Sequence, residues 1–336
     1  MLSYLIVGSG YRAEYFGRVA RTYPDLFRAM FLCRSQEKAA LMTERAGAAA
    51  TTSLAEGLSF RPDFVVVAVD RGHMADVIEE WANRGFPIVS ETPVASTYAQ
   101  LERIEALGQK GAKIVSCEQY PRQPILAAGL REIEAGTIGT PSSLYISLLH
   151  DYHAAGLIRR ALQIGRGETY TVSGAVQRAP AAQTDSRYGA FYDGRTDLAE
   201  RTAAVICFSS GKQAIYDFSP LQYRSYIRSR HLTVRGIRGE WTDTSVLYLD
   251  EENRPQRKML LPVLPERYRC LDTQALRDRR RNWTAELAPD TVQDEFAIAT
   301  LLLDMADYLN GGESPYPLWD AIEDARFWLE LEKLRT

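Results

Sequence analysis

The stretch Ser3-Tyr4-Leu5-Ile6-Val7-Gly8-Ser9-Gly10-Tyr11-Arg12-Ala13 decides the fold. A short apolar run, Tyr4 to Val7, passes straight into Gly8-Ser9-Gly10 and then into a helix-like pattern. That order predicts a strand, a tight turn and a helix. Glycine has a physical reason to stand at both turn positions. Gly8 can adopt a backbone conformation that a side chain blocks, and Gly10 lets the backbone come close to a pyrophosphate. The helix behind them offers free N–H groups and the positive end of its dipole. Ala13, the third small position, allows close packing of helix on strand. The reading is a dinucleotide-binding turn formed by Gly8, Ser9, Gly10, Tyr11 and Arg12. The bland alternative is a plain tight turn.

The chain has 336 residues, enough for about two domains. Its apolar share of 46% and charged share of 25% are ordinary for a soluble globular protein. The net charge of −3 comes with no basic block, which argues against a nucleic-acid partner. Cys33, Cys117, Cys207 and Cys270 are far apart and form no CxxC pair. Neither a disulfide framework nor a zinc site is expected, and a reducing, cytoplasmic setting is. The first strand begins almost at residue 1, which leaves no room for a signal peptide. No apolar run has membrane length, so no membrane partner is expected.

Strand-like and helix-like segments alternate through the first third. Glu14 to Arg21 reads as a helix, Arg28 to Cys33 as a strand and Gln36 to Ala46 as a helix. Asp63 to Val69 is nearly continuous apolar sequence, as in a central parallel strand buried on both faces. Met74 to Arg84 and Thr97 to Gly108 read as helices, Pro87 to Ser90 and Lys113 to Cys117 as strands. This alternation gives a doubly wound parallel sheet, whose ligands bind beyond the carboxyl ends of the strands. Gly8 to Arg12, Arg34-Ser35, Asp70 to His73 and Glu91-Thr92-Pro93 all fall at such ends. An acidic residue after the second strand would accept from the ribose hydroxyl of NAD. Arg34 and Ser35 stand there instead, and a guanidinium can pair with a 2′-phosphate. The expected cofactor is NADP or NAD, with NADP favoured.

The chain resembles the Gfo/Idh/MocA family of oxidoreductases, which includes glucose-fructose oxidoreductase and inositol dehydrogenase. The resemblance rests on Val7 to Arg12, His73, Glu91-x-Pro93 and Gly136-Thr-Ile-Gly-Thr-Pro141. It continues at Val234-Arg-Gly-Ile-Arg-Gly239 and Tyr316-Pro-Leu-Trp-Asp-Ala-Ile-Glu-Asp324. It implies a Rossmann domain over 1–118 and, over 119–336, an α/β domain with a large, mostly antiparallel sheet. The last helix, 318–334, would return towards the first domain. The resemblance also implies a nicotinamide cofactor, a sugar, cyclitol or polyol substrate, and a homodimer or homotetramer built through the open face of the second sheet. The sequence departs from the family pattern in three places. Thr92 stands where the family's Glu-Lys-Pro carries its lysine, Asp70 follows Val69 where Thr-Pro is usual, and His153 is flanked by Leu149 and Gly156 rather than by carboxylates.

In the second part, Ile125 to Ala135 reads as a helix and Leu144 to Leu149 as a strand. The strand runs into His150-Asp151-Tyr152-His153 and then a helix, Ala154 to Gln163. Histidine titrates near neutral pH and can pass a proton during hydride transfer. His153 is the first candidate for that proton, with Tyr152 or His150 assisting in place of the lysine and Asp151 orienting an imidazole. The bland alternative makes His150 a strand end and Tyr152 packing. No metal site is expected. Tyr170 to Gln177 reads as a strand, and Arg178 to Leu198 as a long irregular loop containing Tyr188, Tyr192 and Arg195. Strands follow at Ala203 to Phe208, Gln213 to Phe218, His231 to Gly236 and Ser245 to Leu249, and Tyr223, Arg224 and Tyr226 between them fit a subunit edge as well as a pocket. Arg277 to Arg281 reads as solvated surface. Val292 to Leu309 and Leu318 to Leu334 read as helices.

Three functions fit these residues. The leading one is an NAD(P)-dependent oxidoreductase of a sugar or polyol. The second is a nucleotide-binding regulatory protein without catalysis, favoured by Thr92 and Asp70. The third is an enzyme that cleaves glycosides by transient oxidation with tightly held NAD.

Overall fold

A computed structural model of the chain describes residues 1–186, 189–261, 264–274, 276 and 291–335. The chain divides into two compact units. The first takes its described residues from 1–123, 265–273 and 290–329, the second from 124–264, 274–289 and 330–336.

The first unit is built on a parallel six-stranded sheet. Its strands are β1 (Leu2–Val7), β2 (Phe27–Leu32), β3 (Ala49–Thr51), β4 (Phe64–Val67), β5 (Ile88–Ser90) and β6 (Ile114–Ser116). They lie in the order β3-β2-β1-β4-β5-β6, all parallel. The helices between them are α1 (Tyr11–Thr22), α2 (Gln36–Ala46), α3 (Leu54–Ser59), α4 (Met74–Asn83) and α5 (Tyr98–Gln109). Phe64 to Val67 are wholly buried, which explains why β4 has no polar residue: both of its faces are covered. Phe16, Val19 and Ala20 form the buried stripe of α1, as their spacing predicts.

The chain crosses over between β1 and β4, where the strand order reverses. That is the place at which doubly wound sheets bind ligands. Register then fixes which residues meet there. Val7 pairs with Leu32 and with Val67, Val67 with Ser90, and Ser90 with Ser116. Leu32 also pairs with Thr51, so all six strands end in one row, and the loops that follow them share one edge of the sheet.

In the second unit, α6 (Pro124–Glu134) leads to β7 (Pro141–Ser147) and α7 (Asp151–Ala161). The strands β8 (Tyr170–Ala182), β9 (Thr196–Phe208), β10 (Gln213–Phe218) and β11 (His231–Gly236) follow. The last are β12 (Gly239–Thr242), β13 (Ser245–Leu249) and β14 (Pro255–Met259). The sheet order is β14-β13-β12-β11-β7-β10-β9-β8, antiparallel except for the β7–β10 pair. Leu144, Ile146, Ala214, Tyr216, Phe218, Leu232 and Val234 line the covered face. Ile215, Leu247 and Met259 share the opposite face by register and are exposed.

The long irregular loop expected over 178–198 is mostly sheet. β8 runs five residues past Gln177, and β9 begins at Thr196, with Ala182 paired to Thr196. Beyond Thr202 this ribbon has no third strand among the described residues, because β9 pairs with β10 only over Thr202–Cys207. Its residues are half-buried or exposed and none is fully buried, so its sequence carries no apolar alternation. α7 starts at Asp151, three residues before the expected helix, and takes His153 into its first turn. Tyr188 and Arg277 to Arg281 lie outside the described residues. The last two helices are α8 (Thr291–Leu309) and α9 (Leu318–Glu332). Among the described residues no helix is long and apolar enough to cross a membrane.

Candidate functional site

Two clusters hold the residues singled out by sequence, one in each unit. The first is the shared strand edge of the parallel sheet. Gly8 has φ +142°, and a Cβ there would lie 2.1 Å from the carbonyl oxygen of Ala68. Only glycine fits between the turn and the end of β4. Gly10 is different, since a Cβ there would meet nothing within 4 Å. Gly10 is also the N-cap of α1 and carries no capping side chain. No N-cap side chain satisfies the first N–H groups of the helix, and the space beside Gly10 is open. A backbone cradle of this kind suits an anion.

Arg12 does not reach into that space as a free cation. Its Nε and NH2 donate to the Glu91 carboxylate at 3.2 and 3.0 Å, and its NH1 donates to Asp294 Oδ2 at 3.2 Å. Gln123 Nε2 donates to the other Asp294 oxygen at 2.8 Å. Burial alone would lower the Arg12 pKa, but Glu91 and Asp294 outweigh it and hold the guanidinium charged well above its usual range. Arg12 and Arg18 also stand over the Tyr15 ring, 4.6 and 4.1 Å from its centroid. The Tyr11 and Tyr15 hydroxyls are 2.9 Å apart. Ser9 is half-buried in the turn.

Arg34 and Ser35 follow β2 and are exposed. The Ser35 hydroxyl caps α2 by accepting from Lys38 N at 3.3 Å. No hydrogen bond or ion pair engages the Arg34 guanidinium among the described residues. Asp70 and His73 form an exposed turn after β4, in which Asp70 Oδ1 accepts from Gly72 N at 2.9 Å and lies 3.7 Å from His73 Nδ1. Glu91 is buried, and Pro93 follows it in the loop after β5. The Thr92 hydroxyl is buried and has no partner among the described residues. The same holds for Gln119 Oε1, three residues past the end of β6, on a residue only 1% exposed. Sequence reasoning missed Gln119, and its place after the last strand of the row was the signal.

The second cluster stands at the end of β7, the central strand of the other sheet. The rings of His150, Tyr152 and His153 come together pairwise, with centroids 4.5 to 4.8 Å apart. Tyr223, which from sequence fits a subunit edge as well as a pocket, joins them. Its hydroxyl accepts from His150 N at 2.9 Å and lies 2.6 Å from His150 Nδ1. Asp151 does not orient an imidazole, as was expected. Its N–H donates to the Tyr216 hydroxyl at 2.9 Å, and that hydroxyl donates to Asp151 Oδ1 at 3.1 Å. Burial first, and then the Asp151 charge, push the Tyr216 pKa well above its usual value, so the phenol keeps its proton. Arg335 closes the arrangement with contacts to Asp151 at 2.9 and 3.3 Å and to Glu200 at 2.8 Å.

None of the six lysines replaces the one missing at Thr92. Lys113 donates to the carbonyls of Tyr308 and Leu309, and Lys212 to those of Leu162 and Gln163. Lys258 pairs with Glu132 and Lys333 with Glu330. Lys38 and Lys110 are exposed. Among the described residues no group of three or more His, Cys, Asp or Glu could hold a metal ion.

No protein of curated function matches the chain by sequence. Solved structures match its fold over almost its whole length. An NAD-binding oxidoreductase from Klebsiella pneumoniae has 15% identity and a TM-score of 0.70, covering 99% of this chain and 96% of that one. A levoglucosan dehydrogenase in complex with NADH and levoglucosan has 16% identity and a TM-score of 0.69, with 99% and 96% covered. An oxidoreductase from Agrobacterium radiobacter, in complex with NAD+, L-tartaric acid and magnesium, has 14% identity and a TM-score of 0.65, with 97% and 94% covered. At such identities the likeness is one of fold. The model of the oxidoreductase family with an NAD-binding Rossmann fold matches residues 2–119. That match spans the parallel-sheet part of the chain, so residues 2–119 are similar to the NAD-binding Rossmann domain of the Gfo/Idh/MocA oxidoreductase family.

Proposed function

We propose that the chain is an NAD(P)-dependent dehydrogenase or reductase of a sugar, cyclitol or related polyol. The observation that carries the reading is the β1–α1 turn, with Gly8 against Ala68, open space at Gly10 and an uncapped α1. These residues fit a dinucleotide pyrophosphate, held by the N–H groups of residues 9 to 13. When bound, the nicotinamide supplies or accepts the hydride. Arg12 contributes its backbone N–H, while its side chain fixes Glu91. Asp70, His73, Glu91, Thr92 and Pro93 complete the strand edge around the cofactor. Exposed Arg34, beside Ser35, favours NADPH over NADH through its pairing with a 2′-phosphate.

The proton that accompanies the hydride belongs to the His150, Tyr152 and His153 cluster, since no lysine is at hand. Acid–base help of this kind is worth about 10² to 10⁴ in rate. The substrate class rests on the likeness to that family and on the polyhydroxylated ligands named for the levoglucosan and tartrate complexes. Ile215, Leu247 and Met259 on the open sheet face suit a homodimer or homotetramer, which light scattering on the purified protein would weigh. The four free cysteines suit a reducing, cytoplasmic setting.

Calorimetric titration with NADPH and NADH, followed by a turnover screen over polyols and their ketones, tests the reading. Binding of neither cofactor would overturn it. Binding without turnover would favour a nucleotide-binding protein without catalysis. That second reading has one observation behind it, the uncharged Thr92 with every lysine engaged or exposed elsewhere.

A further inference from the structure

Of the four histidines, only His231 takes no part in the readings above. It opens β11 and stands between two side chains that suit its two ring nitrogens. Its Nδ1 lies 3.1 Å from Asp243 Oδ2, and its Nε2 lies 2.8 Å from the Ser229 hydroxyl. A carboxylate only accepts, so Nδ1 carries the proton of the neutral ring. Nε2 is then bare and accepts from the Ser229 O–H. A hydroxyl bonded to an imidazole, which a carboxylate orients in turn, is the arrangement that makes serine a nucleophile.

The groups on either side of the imidazole are held from behind. Asp243 lies in the turn between β12 and β13 at φ +49°, a left-handed conformation that aspartate tolerates. Its Oδ1 accepts from Leu232 N at 2.9 Å, and its own N–H donates to Leu232 O at 2.9 Å. Its carbonyl accepts from Trp241 Nε1 at 2.8 Å, and both Leu232 and Trp241 are wholly buried. Those bonds account for Oδ1 and leave Oδ2 to the imidazole. The Ser229 carbonyl accepts at 2.7 Å from Nε2 of buried Gln222, which also donates to Ser147. Arg230, the next residue, donates to the carbonyls of Gln222 and Tyr223 at 3.1 and 2.9 Å. The loop carrying the nucleophile is thus pinned, while Ser229 itself is exposed and the His231 side chain half exposed. His231 pairs with Ser147, two residues beyond the Thr233–Tyr145 pair whose row holds Ile215, so the site stands at the rim of the open sheet face.

We propose that Ser229, His231 and Asp243 form an acyl-transfer site, independent of the dehydrogenase reading, whose substrates are small carboxylic esters with good leaving groups. An exposed hydroxyl admits a small, activated acyl group without a dedicated pocket. Ser229 Oγ attacks the ester carbon while its proton passes to His231 Nε2. The bond from that carbon to the leaving oxygen breaks, and the oxygen keeps the electron pair and takes the proton from Nε2, departing as an alcohol. Water then attacks the acyl-serine and gives a proton to Nε2. Ser229 Oγ leaves with its electron pair, recovers that proton, and the carboxylic acid is released. Asp243 touches no substrate. It is a positioning residue that keeps the proton on Nδ1 and balances the imidazolium formed in each half of the cycle.

Two probes on the purified chain test the site: a fluorophosphonate, read by mass spectrometry of the peptide that carries Ser229, and p-nitrophenyl acetate, read by release of p-nitrophenol. A phosphonyl group should appear on Ser229, and Ser229→Ala should abolish both the label and the release above background. His231→Gln should slow labelling about a hundredfold or more at an unchanged melting temperature. Asp243→Asn keeps the Oδ1 that Leu232 needs and removes the charge. A purely structural Asp243 would be restored by that substitution, whereas a positioning Asp243 should still lose about a hundredfold or more in labelling rate. No label on Ser229, or a label that His231→Gln does not slow, overturns the proposal. An unchanged rate in Asp243→Asn overturns the positioning role. Neither probe involves a nicotinamide, so a chain that binds no cofactor yet labels at Ser229 would refute the dehydrogenase reading and keep the acyl-transfer site.

Discussion

Arg12 and Glu91 form a two-pronged ion pair across the edge of the parallel sheet, at 3.2 and 3.0 Å, although 79 residues separate them. Asp294 takes a further nitrogen of the same guanidinium. The arginine of the glycine turn thus serves as a clamp on two carboxylates. Arg12→Met leaves both uncompensated and should lower stability by about 2 to 3 kcal/mol, short of the fully buried limit because the guanidinium keeps some exposure. Urea denaturation measures it. A loss below about 0.5 kcal/mol would show that water satisfies both acids.

Gly8 and Gly10 should respond in opposite ways to alanine. Gly8→Ala forces a methyl group against the Ala68 carbonyl at a positive φ, and should cost about 3 kcal/mol or prevent folding. Gly10→Ala meets open space and should cost at most about 1 kcal/mol. It should nevertheless weaken cofactor binding about tenfold or more, equivalent to about 1.4 kcal/mol. Thermal melts and calorimetry on the two variants separate fold from cradle. Unchanged affinity in Gly10→Ala would remove the turn from the cofactor site.

Arg34→Ser should weaken NADPH binding about tenfold to thirtyfold, the worth of a charge-assisted contact, and change NADH binding less than about twofold. Equal losses for both cofactors would mean that Arg34 does not meet the 2′-phosphate.

Thr92→Val removes a buried hydroxyl that has no partner among the described residues. Its stability should be unchanged or higher by up to about 1 kcal/mol, because a lone buried hydroxyl costs free energy. Any fall in activity at unchanged stability would then report a contact made only with ligand. Destabilisation by more than about 1 kcal/mol would show that the hydroxyl already has a partner in the free protein.

The parallel sheet was legible because its physics is local. Phe64 to Val67 are apolar on both faces, and Gly8 stands where its φ requires it. The small elements β3 and α3, three and six residues long, gave too little periodicity to read. β14 was missed for a different reason: all five of its residues are exposed, so nothing in Pro255 to Met259 alternates. The distal ribbon of β8 and β9 was hidden in the same way. Site residues divided similarly. His150, Tyr152 and His153 lie within four residues and could be read as one group. Tyr223 reaches His150 across 73 residues, and Asp294 reaches Arg12 across 282. Contacts at that separation follow from sheet order and leave no mark in local spacing.

The dispersal of the lysines has a chemical consequence. An acylating reagent that consumes primary amines would modify this chain at helix ends and on its surface and find no ammonium group in either cluster. Turnover should survive such labelling. A reagent selective for imidazole would silence the protein instead, and the contrast would mark an enzyme whose working proton is carried on an aromatic ring and not on a flexible alkyl arm.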